Sequence, residues 1–184
     1  KVYTAGLLVE SAFHIADPQE EISKRLNRAA AILNDTIADL RQSLIELNVH
    51  TSTETKSLAA LIQQVVNTPH YNSLVDVQLD LQLPSSKELS PRRANHISAI
   101  LTEALSNIVR HAKAQKVIIT AKDLSKNFLI SIKDDGIGLP EDLNVGYGLR
   151  NMRDRTRILN GKINCSNEEG TIITLSIPWV DENL

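Results

Sequence analysis

The sequence predicts an α+β chain in two parts: an antiparallel helical hairpin, then an α/β sandwich built on a mixed sheet. Three observations carry this. A heptad-like apolar stripe runs through the first 50 residues, helix and strand periodicities alternate beyond residue 56, and six of the seven glycines fall between Gly136 and Gly170. A length of 184 residues suits one substantial domain plus a smaller element. A net charge of -2 predicts no direct nucleic-acid binding and no attraction to an anionic membrane, and no apolar run reaches membrane-spanning length. Aromatics at 3% leave no stacking surface for single-stranded nucleic acid. Cys165 stands alone, so no internal disulfide is expected, in keeping with a reducing cytoplasm.

Taken in order, Lys1–Ile15 and Pro18–Asn48 read as helices joined by the turn Ala16-Asp17-Pro18. Asp17 suits the N-cap and Pro18 the first helical position, with Glu20 and Glu21 complementing the helix dipole. Leu7, Leu8, Val9 and Phe13 are already in helical spacing with no cap before them, so Lys1 falls inside a helix and the sequence predicts a fragment of something longer. The second helix carries the stripe Ile22, Leu26, Ala29, Leu33, Ile37, Leu40, Leu44, Leu47. Its seam spacing cannot be buried by one hairpin. Pairing with a second copy into a four-helix bundle is the expected solution. The predicted boundaries are a hairpin at 1–50, a linker at 51–56 (T-S-T-E-T-K from Thr51) and a second domain at 57–184.

In the second part, Leu58–Val66 reads as a helix and Val75–Leu83 alternates as a strand. Ser90 caps a long helix with Pro91 at its first position, running to about Ala112. Strands are expected at Lys116–Lys122, Phe128–Lys133, Lys162–Ser166 and Thr171–Pro178, with a helix at Leu149–Asn160 stopped by Gly161. Helices with several hairpin-connected strands predict a layer of helices on one face of a sheet.

Four segments of this part bear on chemistry. At roughly 100° per residue, Glu103, Asn107, Arg110 and His111 cluster on one side of the long helix, next to the apolar face of Ile97, Leu101, Ala104, Leu105, Ile108 and Ala112. Carboxylate and amide oxygens suit a hard cation such as Mg²⁺, and Arg110 and His111 suit phosphate oxygens. A polar stripe facing water has the same pattern. The strand Phe128–Lys133 runs into Asp134-Asp135-Gly136-Ile137-Gly138. A carboxylate at the end of a buried strand can accept from an exocyclic amino group, while two glycines let a flat ring approach the backbone; Asp-Gly is equally the material of an ordinary turn. After the short loop Leu139–Val145, Gly146-Tyr147-Gly148-Leu149 opens a helix whose free N–H groups suit an anion, or simply form a flexible cap. In that helix Leu149, Met152, Thr156 and Leu159 form the inward stripe, and Arg150, Arg153 and Arg157 are expected in solvent. The fourth segment is Gly170-Thr171.

Together E-A-L-S-N-I-V-R-H-A, D-D-G-I-G, G-Y-G-L-R-N-M-R-D-R and G-T-I-I-T-L-S-I-P resemble the N, G1, G2 and G3 boxes of the GHKL ATP-binding domain. Their wording, with L-L-V-E-S-A, A-D-P and L-N-D-T-I-A-D-L-R-Q-S-L before them, is similar to sensor histidine kinases of the nitrate-sensor and desaturase-thermosensor branch. The resemblance implies ATP and Mg²⁺ as ligands. Asn107 would hold the metal, with Glu103 beside it as base or ligand to a metal-bound water. Arg110 and His111 would lie near the phosphates. Asp134 would bind the adenine amino group between Gly136 and Gly138, Gly146, Tyr147, Gly148 and Leu149 would close on the phosphates, and Thr171 would lie near the adenine. It also implies a homodimer through the hairpin and a response-regulator receiver domain as partner, in the cytoplasm. The family's phosphoacceptor His-Asp pair would stand upstream of Lys1; His14, at the interhelical turn and followed by Ile15, does not replace it. Autophosphorylation of this chain by itself is therefore not expected. The rival readings are another GHKL ATPase or serine kinase, and a non-catalytic module for dimerisation and regulator binding.

Overall fold

The computed structural model describes residues 55–67, 74–139 and 147–180, together with Ile22, Arg25, Ala29, Leu33 and Thr36. The chain divides into two compact units, Lys1–Ser52 and Thr53–Leu184. In the first, the five described residues are helical; Ala29 is buried and Leu33 is 42% exposed. The hairpin's first helix, its turn and the rest of its stripe lie outside the described residues, as do the loop at 140–145, Gly146 and the side chain of Tyr147.

The second unit starts with a short strand, β1 (Lys56–Ser57), which the sequence reading had assigned partly to the linker. It pairs antiparallel with β3 (Glu88–Leu89). Two-residue strands carry no periodicity, so neither was foreseen. Ser57 caps α1 (Leu58–Val66), its hydroxyl accepting from the Ala60 N–H at 3.2 Å. Strand β2 (Asp76–Gln82) follows, and then α2 (Pro91–Asn107), capped by Ser90 with Pro91 in its first turn. Here the straight-helix expectation needs correction. Residues Ile108–Ala112 form a turn of π-helix, and Lys113 ends it at φ 53°. Such a widened turn appears where tertiary contacts outweigh regular hydrogen bonding.

Strands β4 (Lys116–Leu124) and β5 (Asn127–Asp134) form a hairpin. Helix α3 (Tyr147–Ile158) starts two residues earlier than expected. It closes through Asn160 at φ 54°, with the Gly161 N–H donating to the Thr156 carbonyl at 2.9 Å. Strands β6 (Lys162–Asn167) and β7 (Thr171–Pro178) form a second hairpin. The five-stranded order is β2-β4-β5-β7-β6. Only β2–β4 is parallel, because α2 crosses over between them, so the sheet is mixed as predicted.

Alternation places Val117, Ile119 and Ala121 of β4, Phe128, Ile130 and Ile132 of β5, and Ile173, Leu175 and Ile177 of β7 in one buried layer. Against it pack Ile97, Leu101, Ala104 and Leu105 of α2, Leu149 and Met152 of α3, and Leu159 just after it, the faces the spacing predicted. One end of this layer is closed by Trp179. Its ring lies 4.6 Å from that of Phe128, its indole N–H donates to Asp123 at 2.7 Å, and Lys87 sits over it while pairing with Asp123. Phe128 opens β5 and Asp134 ends it, so this lock lies at the opposite end of the sheet from the glycine-rich segments.

Candidate nucleotide site

Period-two alternation along β5 turns Phe128, Ile130 and Ile132 inward, and Asp134 continues that series. A carboxylate thus stands on the buried face, only 2% exposed. The register sets it opposite Thr171 of β7. Its Oδ1 accepts from the Gly136 N–H at 2.9 Å and from the Thr171 N–H at 3.2 Å. Oδ2 takes neither bond. A buried carboxylate with one oxygen fixed by backbone and the other open can accept from an amino group of a ligand.

Glycines let the surrounding backbone close on this group. Gly170 lies at φ 118°, and a Cβ there would collide with the Asp134 carbonyl. At Gly136 the space for a Cβ is filled by the Ala112 carbonyl, which also accepts from the Ile137 N–H at 2.9 Å. Gly136 is therefore required by the end of the π-turn, a reason different from the ring slot that its spacing suggested. Gly138, at φ 77°, lies against the Asn167 side chain, whose atoms would be 3.2–3.3 Å from a Cβ.

A second group of residues meets where α3 begins. A Cβ on Gly148 would strike the Glu103 carboxylate and stand 3.1 Å from Asn107 Nδ2. Glu103 and Asn107 are both half-buried on α2, one turn apart, so the helix start and the carboxylate–amide pair are in contact. One carboxylate and one amide oxygen fit a Mg²⁺ that keeps most of its shell as water and phosphate. Among the described residues no group of three or more His, Cys, Asp or Glu could hold a metal without such help. The two groups of residues are linked by the α2 end, since Asn107 and Ala112 are five residues apart, about 7 Å along a helix axis.

Arg110 and His111 lie on the π-turn that follows Asn107. Both are exposed, and the π-turn changes the angle at which they leave the helix, so the 100° projection that grouped them with Glu103 and Asn107 does not hold past Asn107. Leu149 is buried in the helix layer; Arg150 and Arg157 are exposed as expected, whereas Arg153 is half-buried, near Cys165. Cys165 lies in β6, its thiol pushed up by burial.

Two residues escaped the sequence reading. Asp135 is the second acid of the D-D pair. Its Oδ1 accepts from the Gln115 and Lys116 N–H groups at 2.8 and 2.9 Å, which pins the start of β4 to the end of β5. Those backbone bonds, that from Lys116 foremost, hold its carboxyl below the usual range. A depressed carboxyl contributes stability above its unfolded value of about 3.9 and loses it as pH falls through the folded value. Asp135→Ala is expected to be less stable than the wild type near neutral pH, with the gap closing in acid; urea unfolding at the two pH values checks this. The other residue is Asn167, whose carboxamide accepts from the Leu139 N–H at 2.8 Å and donates to the Leu139 carbonyl at 2.9 Å. Within N-E-E-G it reads as turn material, and no local signal separates the two.

Residues 93–181 match the family model of histidine kinase-, DNA gyrase B- and HSP90-like ATPases. The sensor histidine kinase YvfT of Bacillus subtilis is 36% identical over 92 residues, covering 50% of this chain and 25% of that protein. A NarQ homologue of Haemophilus influenzae, a sensor protein, is 27% identical over 158 residues, covering 83% and 26%. Among solved structures, the Acinetobacter baumannii histidine kinase AdeS superposes with a TM-score of 0.65 at 21% identity over 98% of each chain, a likeness of fold. The chain spans about a quarter of the length of the curated relatives it matches. Among the described residues no helix is long and apolar enough to cross a membrane. With its box motifs and mixed sheet, the segment 93–181 is an ATPase domain of the histidine kinase-, DNA gyrase B- and HSP90-like kind, and the relatives that carry its likeness are sensor histidine kinases, the nitrate/nitrite sensors and DesK among them.

Proposed function

We propose that the chain is the catalytic core of a cytoplasmic two-component kinase, with a hairpin at 1–50, a linker at 51–56 and an ATP-binding domain at 57–184. It binds Mg-ATP, phosphorylates a histidine on a dimeric helical bundle, and passes the phosphoryl group to an aspartate of a response regulator. The observation that carries this reading is the buried Asp134 carboxylate, with Oδ1 held by Gly136 and Thr171 and Oδ2 taking neither of those bonds.

In this reading Asp134 Oδ2 accepts from the adenine amino group, and Gly136 and Gly138 shape the ring's slot by letting the loop fold tightly against Ala112 and Asn167. Asn107 supplies the oxygen for Mg²⁺, which when bound would neutralise charge on the phosphates. Glu103, against Gly148, orders a metal-bound water or takes a proton. Gly148 and the Leu149 backbone, at the start of α3, would meet the phosphates where the helix dipole favours negative charge, and the sequence motif assigns Gly146 and Tyr147 to the same role. Arg110 and His111, exposed on the π-turn, reach phosphate oxygens from outside. The histidine nitrogen then attacks the γ-phosphorus, the bond to the bridging oxygen breaks, and ADP leaves. Positioning and charge neutralisation supply most of such a rate enhancement.

The hairpin stripe supports the dimer: its seam spacing and the exposed Leu33 suit a second copy of the same helix. The test is radiolabelled ATP given to this chain together with a longer form that carries the upstream histidine. Acid-labile, base-stable label on the longer form is the expected result; label that survives acid, as on serine, or no label at all, overturns it.

A further inference from the structure

We propose that Asn167 is a positioning residue for the nucleotide, its carboxamide gripping both backbone groups of Leu139 and so fixing the Gly138–Leu139 corner at the mouth of the Asp134 pocket. Asn167 ends β6, immediately before the hairpin that delivers Gly170 and Thr171 to Asp134. Its amide makes the two-point contact that a neighbouring strand would make, one bond accepted and one donated. The loop after β5 thereby gains a partner exactly where its own strand pairing has ended, since β5 stops at Asp134.

The fit is mutual. Gly138 holds φ 77° and presents no Cβ, so the carboxamide lies flat against the corner. One side chain thus ties the D-D-G-I-G loop to the G-T hairpin across 28 residues of sequence. Unheld, Leu139 would leave two backbone groups to solvent, and the corner would have to be ordered each time a nucleotide bound, an entropic cost that lowers affinity.

The inference rests on reading the Asp134 pocket as a nucleotide site, and the experiment separates the two. Binding of Mg-ADP to the full 184-residue chain is measured by calorimetry for the wild type, N167A, N167D and D134N, with melting of each in the absence of nucleotide. N167A is expected to bind roughly tenfold more weakly, the loss of two hydrogen bonds, while D134N loses more. In N167D the introduced carboxylate still accepts from the Leu139 N–H but repels its carbonyl. Its affinity near pH 7.5 should therefore be no better than that of N167A, although it keeps the bond from the Leu139 N–H. N167A or N167D binding within twofold of the wild type overturns the role of Asn167 even where D134N is impaired. D134N binding as well as the wild type overturns the pocket reading and this inference with it.

Discussion

Replacing Asp134 with asparagine is expected to weaken ATP binding by roughly 30- to 100-fold while leaving the fold intact. The substitution is nearly isosteric, so packing changes little. Its effect is on hydrogen-bond polarity. The Gly136 and Thr171 N–H groups both donate to one oxygen of the carboxylate, and in the proposed function the oxygen that remains accepts from the adenine amino group. An amide has one acceptor and one donor group. If its oxygen serves the two backbone donors, its NH₂ confronts the adenine amino group; if it turns over, the NH₂ confronts Gly136 and Thr171. Either arrangement sets donor against donor in a buried site, where an unmet polar group is most costly. Base choice gives an independent reading. Inosine triphosphate offers a carbonyl in place of the amino group, so the wild type should prefer ATP and D134N should shift that preference towards inosine. Anisotropy titrations with both nucleotides check the result, and unchanged affinity and preference would remove Asp134 from the site.

Gly170→Ala is expected to destabilise the second unit by about 2–5 kcal/mol and to impair the pocket together with it. Two costs coincide. The residue holds φ 118°, a region that side chains rarely adopt, and its Cβ would stand against the Asp134 carbonyl, with Oδ1 of the same residue at 3.1 Å. Relief requires the β6–β7 hairpin to move away from β5. That motion breaks the Thr171 N–H bond to Asp134 and frees the carboxylate to rotate. Denaturant unfolding measures the first effect and nucleotide titration the second. A variant as stable as the wild type would show that the hairpin tip is not held in this conformation.

The helices and strands of the second unit were legible because each has a clean period. Phe128, Ile130 and Ile132 alternate, and reading one step further puts Asp134 on the same inward face. In α2 the 3.6-residue spacing found the buried face, and with it Glu103 and Asn107 at its edge. The same projection failed beyond Asn107. A π-turn is favoured by a distant contact, here the Ala112 carbonyl meeting Ile137, and nothing in I-V-R-H-A announces it. The two acids of D-D-G-I-G looked interchangeable by composition. They part because alternation turns one inward and the other out, towards the first N–H groups of β4.

The order and type of the elements, the inward faces and the clustering of glycines were therefore set locally, and the family boxes followed from them. Tertiary structure alone decided which oxygen of Asp134 is left open, why Gly136 and Gly170 must lack a side chain, and that Asn167 holds Leu139. Those contacts join groups 24 to 37 residues apart in the chain. A periodic pattern records how a residue faces its neighbours in sequence; a hydrogen bond between hairpins depends on register and approach, which exist only once the sheet has formed.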